Sequence, residues 1–251
     1  MRPDVPGGPW VERHRRDILL LALTGAAGSV DAISFLALGH VFTANMTGNT
    51  VLLGLHLAQE QGAGALRAFM ALFGFGAGLV IGALIVERST GGGPWPRAVT
   101  RSFAIEAVIL GVFAVGSYLT AVVREVWEGH ALIVLSAMAM GIQSAAVRRL
   151  DVPGIATNYV TGTLTNAVTG LVARSGSAAP RGGSTPSEPG SGFWWRRVRL
   201  QVLALFVYGF GALAAGLSHA RWPGIVAVLP LVAVAAVAAA APPRPSASLE
   251  R

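Results

Sequence analysis

The sequence Thr43-Ala-Asn-Met-Thr47-Gly48-Asn49 returns later in the chain as Thr157-Asn-Tyr-Val-Thr161-Gly162-Thr163. A second pair, Gly74-Phe-Gly-Ala77 and Gly209-Phe-Gly-Ala212, follows the two copies in the same order. Both copies lie within long apolar parts of the chain. A polar sequence of small residues placed twice at membrane depth is typical of a duplicated membrane domain. We therefore predict one transmembrane domain, 18–241, made of the repeats 18–123 and 130–241.

The composition also predicts a membrane protein. The 251 residues are 53% hydrophobic and only 12% charged, which is too apolar for an ordinary soluble domain. The net charge of +7 comes from short basic clusters beside apolar runs, as in the cytoplasmic loops of membrane proteins, so no nucleic acid is expected as a partner. The absence of cysteine excludes disulfides and thiolate metal sites. The expected partner is the lipid bilayer.

Six apolar segments are long enough, or nearly so, to cross about 30 Å of hydrocarbon as helices. They are 18–39, 66–86, 99–123, 130–147, 200–218 and 223–241. Two further segments, 42–59 and 155–173, carry the repeated sequence and are more polar. The predicted fold is an all-α polytopic membrane protein with six full spans and two polar re-entrant or short helices. Eight spans are the alternative.

The arginines distinguish these alternatives, because short cytoplasmic loops are enriched in positive charge. With the tail 1–17 in the cytoplasm, eight spans leave six arginines outside: Arg88, Arg97, Arg101, Arg148, Arg149 and Arg221. Six spans leave three outside: Arg67, Arg124 and Arg221. Six spans also orient the two repeats in opposite directions, which is a recurrent transporter design. The sequence favours six spans in the plasma membrane with a cytoplasmic N-terminus.

Two segments are expected to lie outside the packed domain. The segment 174–192 is rich in Gly, Ser and Pro, a composition that cannot build a core, and it predicts a flexible loop. The tail 242–251 contains Pro-Pro-Arg-Pro and is predicted to be disordered.

Uncharged polar residues of the two repeated segments are the candidate contacts of a substrate pathway. Thr43 and Thr47 are four residues apart and share one helical face, and Gly48 permits a break or a close neighbour. Such a break is tolerated at membrane depth where protein or a wet cavity satisfies the backbone. The alternative is polar packing at a tight helix crossing, which needs the same residue types. The candidates are Asn45, Thr47, Gly48, Asn49, Asn158, Thr161, Gly162 and Thr163.

Asp31 is the only charged residue between Ile18 and Gln59. A carboxylate inside a span is costly, so we expect a proton site, a cation site or a partner for a helix N-terminus. The alternative is a solvated carboxylate near the outer interface. The repeat aligns Asp31 with Ser144, which follows Gln143. Asp31, Gln143 and Ser144 complete the candidate pathway.

Glu106 and a set of glycines in two spans are expected to have structural roles. Glu106 lies five residues after Arg101; extension of either side chain to the cytoplasmic interface is expected, and an ion pair inside the membrane is the alternative. Glycines recur every few residues in two spans and predict close helix packing. They are Gly74, Gly76, Gly78 and Gly82 in the first repeat, and Gly209, Gly211 and Gly216 in the second.

Motifs for catalysis or cofactor binding are lacking. The five histidines have no metal-ligand spacing, and the sequence contains no phosphate-binding loop or nucleophile motif. We expect no enzymatic activity, no metal and no cofactor. The candidate partners other than lipid are a small-molecule or ion substrate and a second copy of the chain.

The stretch Gly28-Ser-Val-Asp31-Ala-Ile-Ser-Phe35, together with Gly39-His-Val-Phe42 and the Thr43–Asn49 sequence, resembles the YoaK family of bacterial integral membrane proteins. Gly141-Ile-Gln143-Ser144-Ala145 and Thr161-Gly162-Thr163 share this resemblance, which covers most of the chain except 174–192 and the tails. Ser144 departs from the Asn expected after Gln143. The resemblance implies a plasma-membrane location and, because the family is uncharacterised, no substrate. Two hypotheses follow: a transporter with its site between the two Thr-Gly segments, or a non-transporting scaffold or partner subunit.

Overall fold

The computed structural model describes residues 9–88, 95–123, 126–150, 168 and 191–240. Within these residues the regular secondary structure is entirely helical, in agreement with the predicted all-α class. The helices are α1 (Pro9–Ala37), α2 (Met46–Ala58), α3 (Gly62–Glu87), α4 (Arg97–Val123), α5 (Val126–Arg149), α6 (Ser191–Arg221) and α7 (Val228–Ala239). The tail 242–251, most of the predicted loop 174–192 and all of 155–173 but Val168 lie outside the described residues.

Five of these helices are long and apolar enough to cross a membrane, as predicted for five of the six spans. The crossing segments are Arg13–Ala37, Gly62–Glu87, Arg97–Thr120, Gly129–Arg149 and Val198–Arg221. The chain is therefore a multi-pass membrane protein.

The last predicted span, 223–241, differs from the structure. Residues 223–227 form turns, in which the N–H of Ile225 donates to the carbonyl of Trp222 and the N–H of Val228 to that of Ile225. The following helix α7 has 12 residues, about 18 Å at 1.5 Å per residue. Pro223 explains the late start, because proline supplies no backbone N–H and fixes φ, and Gly224 follows it.

Helix α2 is also too short to cross the membrane. It has 13 residues, whereas a span needs about 20. The predicted polar segment 42–59 thus contains a loop and a short helix.

Helices α1 and α5 form the centre of the domain. In their apolar segments 67% of the residues are buried, against 28% in α3, α4 and α6. Helix α1 packs mainly on α6, and α5 packs mainly on α3 and α4. Helix α7 lies against both α1 and α4. These contacts surround the two central helices with protein on several sides.

Glycines allow α3 and α5 to run parallel in backbone contact. A Cβ at Gly74 would lie 2.8 Å from the carbonyl oxygen of Val134, and a Cβ at Gly78 would overlap that of Met138. Further along, Gly82 lies against Ile142. The predicted packing role of these three glycines is confirmed.

A second glycine contact joins α1 and α6, which are also parallel. A Cβ at Gly28 would overlap the carbonyl oxygen of Tyr208, and one at Gly211 would overlap that of Gly25. The predicted role of Gly211 is therefore confirmed. The structure does not support this role for three other glycines, at which an added Cβ would meet no atom of the described residues within 4 Å: Gly76, Gly209 and Gly216.

Candidate functional site

The loop after α1 folds back over the last turns of that helix. Gly39 and His40 have φ angles of 86° and 63°, the left-handed conformation that reverses the chain and favours glycine. The Phe35 ring stacks on Phe42 with ring centroids 5.2 Å apart, and the His40 ring packs against Phe35 with centroids 4.9 Å apart. This reversal returns residues 43–45 to the depth of Asp31, inside the domain.

Asp31 binds this loop through consecutive backbone groups. Its Oδ1 accepts hydrogen bonds from the N–H of Thr43 at 2.8 Å, Ala44 at 2.6 Å and Asn45 at 3.4 Å. Its Oδ2 accepts one from the hydroxyl of Tyr208 on α6. We call this set of one carboxylate and four donors the Asp31 clamp. It ties α1, the start of α2 and α6 together.

The electrostatics of the clamp suit an ionised carboxylate. Asp31 is only 3% exposed, so the solvated alternative is wrong. All four partners donate, and a carboxylate that carries no proton accepts on both oxygens. Asn45 is the N-cap of α2, and a helix N-terminus favours a negative charge nearby. The cost of burying the charge is offset by these donors, as expected for a partner of a helix N-terminus.

Side chains of the same segment hold the loop in shape. Asn49, fully buried, accepts from the N–H of Phe42 at 2.9 Å and donates to its carbonyl at 2.5 Å. Asn45 caps α2 by accepting from the N–H of Gly48 at 3.3 Å. The Thr43 hydroxyl lies 2.8 Å from that of Ser34 on α1. These polar side chains therefore satisfy an irregular backbone inside the domain.

The structure brings some of the predicted pathway residues together and separates others. Asp31, Asn45 and Asn49 belong to one hydrogen-bonded unit, and Gly48 lies against the Phe42 ring. Thr47 is exposed on the first turn of α2, away from this unit. The second set of candidates, Asn158, Thr161, Gly162 and Thr163, lies outside the described residues.

The remaining two candidates lie on α5. Gln143 is fully buried, and its side-chain N–H donates to the carbonyl of Leu23 on α1 at 3.3 Å. Ser144 follows it and is partly exposed. Gln143 thus joins the two central helices.

Sequence reasoning missed Tyr208, which completes the clamp, and the contact between the hydroxyls of Ser34 and Thr43 beside it. Ser34 and Thr43 lie in the motif that carries the family resemblance, and their spacing alone gave no sign of a mutual bond. Tyr208 is a single tyrosine in an apolar span, far from Asp31 in the chain, so no local pattern indicates the pair.

Glu106 on α4 was misplaced by the sequence. It is 0% exposed, and neither carboxylate oxygen has a hydrogen-bond partner within the part of the chain that the structure describes. Extension to the interface is therefore wrong for Glu106, whereas Arg101 is exposed and forms no ion pair with it. The missed signal was spacing, because Glu106 lies three or four residues from Phe103 and Leu110 on one helical face.

Nothing in the described ranges indicates a metal centre, since no three His, Asp or Glu side chains there are grouped so as to hold an ion. An ion pair joins the N-terminal parts of α1 and α6. Arg196 Nε lies 3.1 Å from Asp17 Oδ2, and its Nη2 lies 2.6 Å from Oδ1.

Comparison with known proteins identifies the family. The family model described as a protein of unknown function, DUF1275, matches residues 19–241. The UPF0700 transmembrane protein YoaK of Bacillus subtilis (strain 168) is 36% identical over 219 residues, which cover 87% of this chain and 91% of that protein. No solved structure matches the chain. The resemblance seen in the sequence is confirmed, and this multi-pass membrane protein belongs to the DUF1275 family.

Proposed function

We propose that the protein carries a small molecule or an ion across the plasma membrane, along a path between its two Thr-Gly segments, 43–49 and 157–163. The Asp31 clamp is the observation that carries this proposal. Non-helical backbone persists at membrane depth where protein or a water-filled cavity satisfies it, and transporters use such interrupted helices to build binding sites. In the clamp, the Asp31 carboxylate binds the interrupted segment 43–45 and also Tyr208 on α6, a helix from the other end of the chain.

Contacts at the start of α3 support a re-entrant first segment. Gly39, just after α1, lies against the side chain of Arg67, and His56, near the end of α2, lies against Gly64. Both contacts fall in the first two turns of α3. The chain therefore leaves α1 and completes α2 at the same end of α3, which favours six spans, with the N-terminus in the cytoplasm as the arginines indicate.

The paired glycine contacts support an internal repeat. The repeat aligns Gly28 on α1 with Gly141 on α5. Gly28 packs on the carbonyl of Tyr208 in α6, and Gly141 packs on that of Phe75 in α3. Each central helix thus packs on the glycine-containing helix of the opposite repeat. Such crossed packing is expected if two halves of similar structure are arranged around a central site.

The contacts also refine the repeat alignment. Gly211 packs on Gly25, and Gly78 packs on Met138, the residue that the repeat aligns with Gly25. These contacts favour matching Gly211 with Gly78, two residues beyond the Gly76 that the sequence comparison paired with it. In this alignment Asp31 and Tyr208 correspond to Ser144 and Phe75, so the charged half of the site is unique to the first repeat.

The proposal predicts that water reaches the clamp from each side of the membrane at different times. Because the natural chain has no cysteine, Thr43→Cys provides a single probe at a position that is 0% exposed. We expect a membrane-impermeant thiol reagent to label it in intact cells and in inverted vesicles. Ala71→Cys on α3, equally buried, is the control that should stay unlabelled, and exposed Thr47→Cys reports on reagent access.

The proposal would be contradicted if, from both sides of the membrane, the reagent labelled Thr43→Cys no faster than Ala71→Cys. In that case the second candidate, a non-transporting scaffold or partner subunit, is favoured. The observation that supports it is the backbone contact of α3 with α5 and of α1 with α6, which leaves little room for movement. A scaffold of this kind should also remain in a dimer or a larger complex after extraction in mild detergent.

A further inference from the structure

Helix α4 presents one acidic side chain among large apolar ones. Its buried face consists of Val99, Phe103, Leu110 and Phe113, each fully buried, and Glu106 lies in the middle of this row with an exposure of 0%. Helix α4 packs against α5, α7 and α3, so this face is covered by protein. Glu106 is therefore inside the domain and away from both ends of α4.

No described neighbour compensates this carboxyl group. Within the described residues, neither of its oxygens has a hydrogen-bond partner. Helix α7 has no charged residue, and the side chains described for the other packed helices form no ion pair with Glu106. The titratable or charged residues of α3, α4 and α5 are Arg67, Glu87, Arg97, Arg101, Tyr118, Glu128, His130, Arg148 and Arg149, of which the side chain of Glu128 lies outside the described set.

An ionised carboxylate in such surroundings is strongly disfavoured, and a structural carboxylate would be expected to have donors, as Asp31 has. Intramembrane acidic residues usually mark a proton or ion path. Among the described residues, no group of three His, Asp or Glu side chains that could hold a metal ion includes Glu106. A proton, which needs no further ligands, is the occupant that this site fits.

We propose that Glu106 is a proton-binding site of the membrane domain. In the arrangement described here the side chain is a neutral carboxylic acid. When the interior opens, the O–H bond breaks, the proton passes to water and the carboxylate remains until it is protonated again. If the transport proposed above is correct, on which this step rests, the proton released at Glu106 is the ion coupled to substrate movement.

Labelling with dicyclohexylcarbodiimide tests the proton site without knowledge of the substrate. This apolar reagent takes the proton of a neutral carboxyl on its nitrogen, the carboxylate oxygen then bonds to its central carbon, and the adduct rearranges to a stable N-acylurea. Full-length protein in liposomes is treated, and peptide mass spectrometry locates the adduct. We expect it on Glu106 and not on Asp31, with less labelling as the pH is raised from mildly acidic to alkaline.

Two variants complete the design. Glu106→Gln should lose the adduct while keeping its size-exclusion profile, and Asp31→Asn should keep the adduct. An unlabelled Glu106 in the natural protein, or labelling that is the same at every pH, would overturn the proton site, and neither result depends on a variant that folds. The transport proposal is tested separately, by thiol labelling of Thr43→Cys. If that proposal fails, the carbodiimide adduct on Glu106 is still expected.

Discussion

Asp31 and Glu106 are both carboxyl groups buried within the helical domain, and they differ in their surroundings. Asp31 accepts hydrogen bonds from three backbone N–H groups and one tyrosine hydroxyl. Glu106 has apolar neighbours on its own helix and no described partner. Burial alone therefore does not define the role of an intramembrane acid. The number of donors around it separates a group that holds the fold together from a group that is free to exchange a proton.

The largest effect in this comparison is expected for Asp31→Leu. It leaves three backbone N–H groups without an acceptor, and each unsatisfied buried donor costs about 1–3 kcal/mol, so we expect a loss of about 3–5 kcal/mol in unfolding free energy. Thermal unfolding in detergent measures it. Asp31→Asn keeps one acceptor oxygen and should lose less. A leucine variant as stable as the natural protein would show that the clamp contributes little.

The next largest effect is expected for Gly211→Ala. Its new Cβ would overlap the backbone of Gly25 and push α6 away from α1, which also stretches the contact between Asp31 and Tyr208. Overpacking against backbone costs about 2–3 kcal/mol. Gly209→Ala on the same helix is the matched control, because its Cβ would meet no described atom within 4 Å. Equal melting temperatures of the two variants would contradict the close contact of α1 and α6.

A smaller effect is expected for Tyr208→Phe, which removes one of the four donors. A hydrogen bond to a charged acceptor contributes about 1.5 kcal/mol or more, so the melting temperature should fall, but by less than in Asp31→Leu. Tyr118→Phe, an exposed tyrosine on α4, should leave it unchanged. If Asp31→Asn and Tyr208→Phe lower stability independently, the tyrosine is not part of the clamp.

The smallest effect is expected for Glu106→Leu. Because Glu106 makes no described hydrogen bond, a leucine of similar size should change the unfolding free energy by less than about 1 kcal/mol or increase it. The same chemical change at Asp31 is the matched comparison, measured in the same detergent. A loss in Glu106→Leu as large as in Asp31→Leu would mean that Glu106 has a structural partner and would remove the contrast.

The sequence predicted the class of the fold and much of its framework. Five spans follow from apolar length, and four of the seven predicted packing glycines lie at helix contacts. Asp31 was recognised as costly because a charge in a span has few explanations. These features depend on composition and local spacing, which can be read directly from the sequence.

The features that the sequence did not reveal depend on which helices meet. Lipid and protein interior are similarly apolar, so the spans show no polar stripe that would mark the inward face of α4 or the partner of α1. Glu106 was therefore placed at the interface, and Tyr208 was not connected with Asp31. The short α7 was not predicted because the apolar segment continues across Pro223 and Gly224, whereas the helix does not include these two residues.

The infrared spectrum of the purified protein at neutral pH tests the central contrast most directly. A protonated carboxylic acid in an apolar site has a carbonyl stretch that is separate from the bands of ionised carboxylates. We predict that this band is present in the natural protein, persists in Asp31→Asn and disappears in Glu106→Gln. Loss of the band in Asp31→Asn with retention in Glu106→Gln would contradict the account.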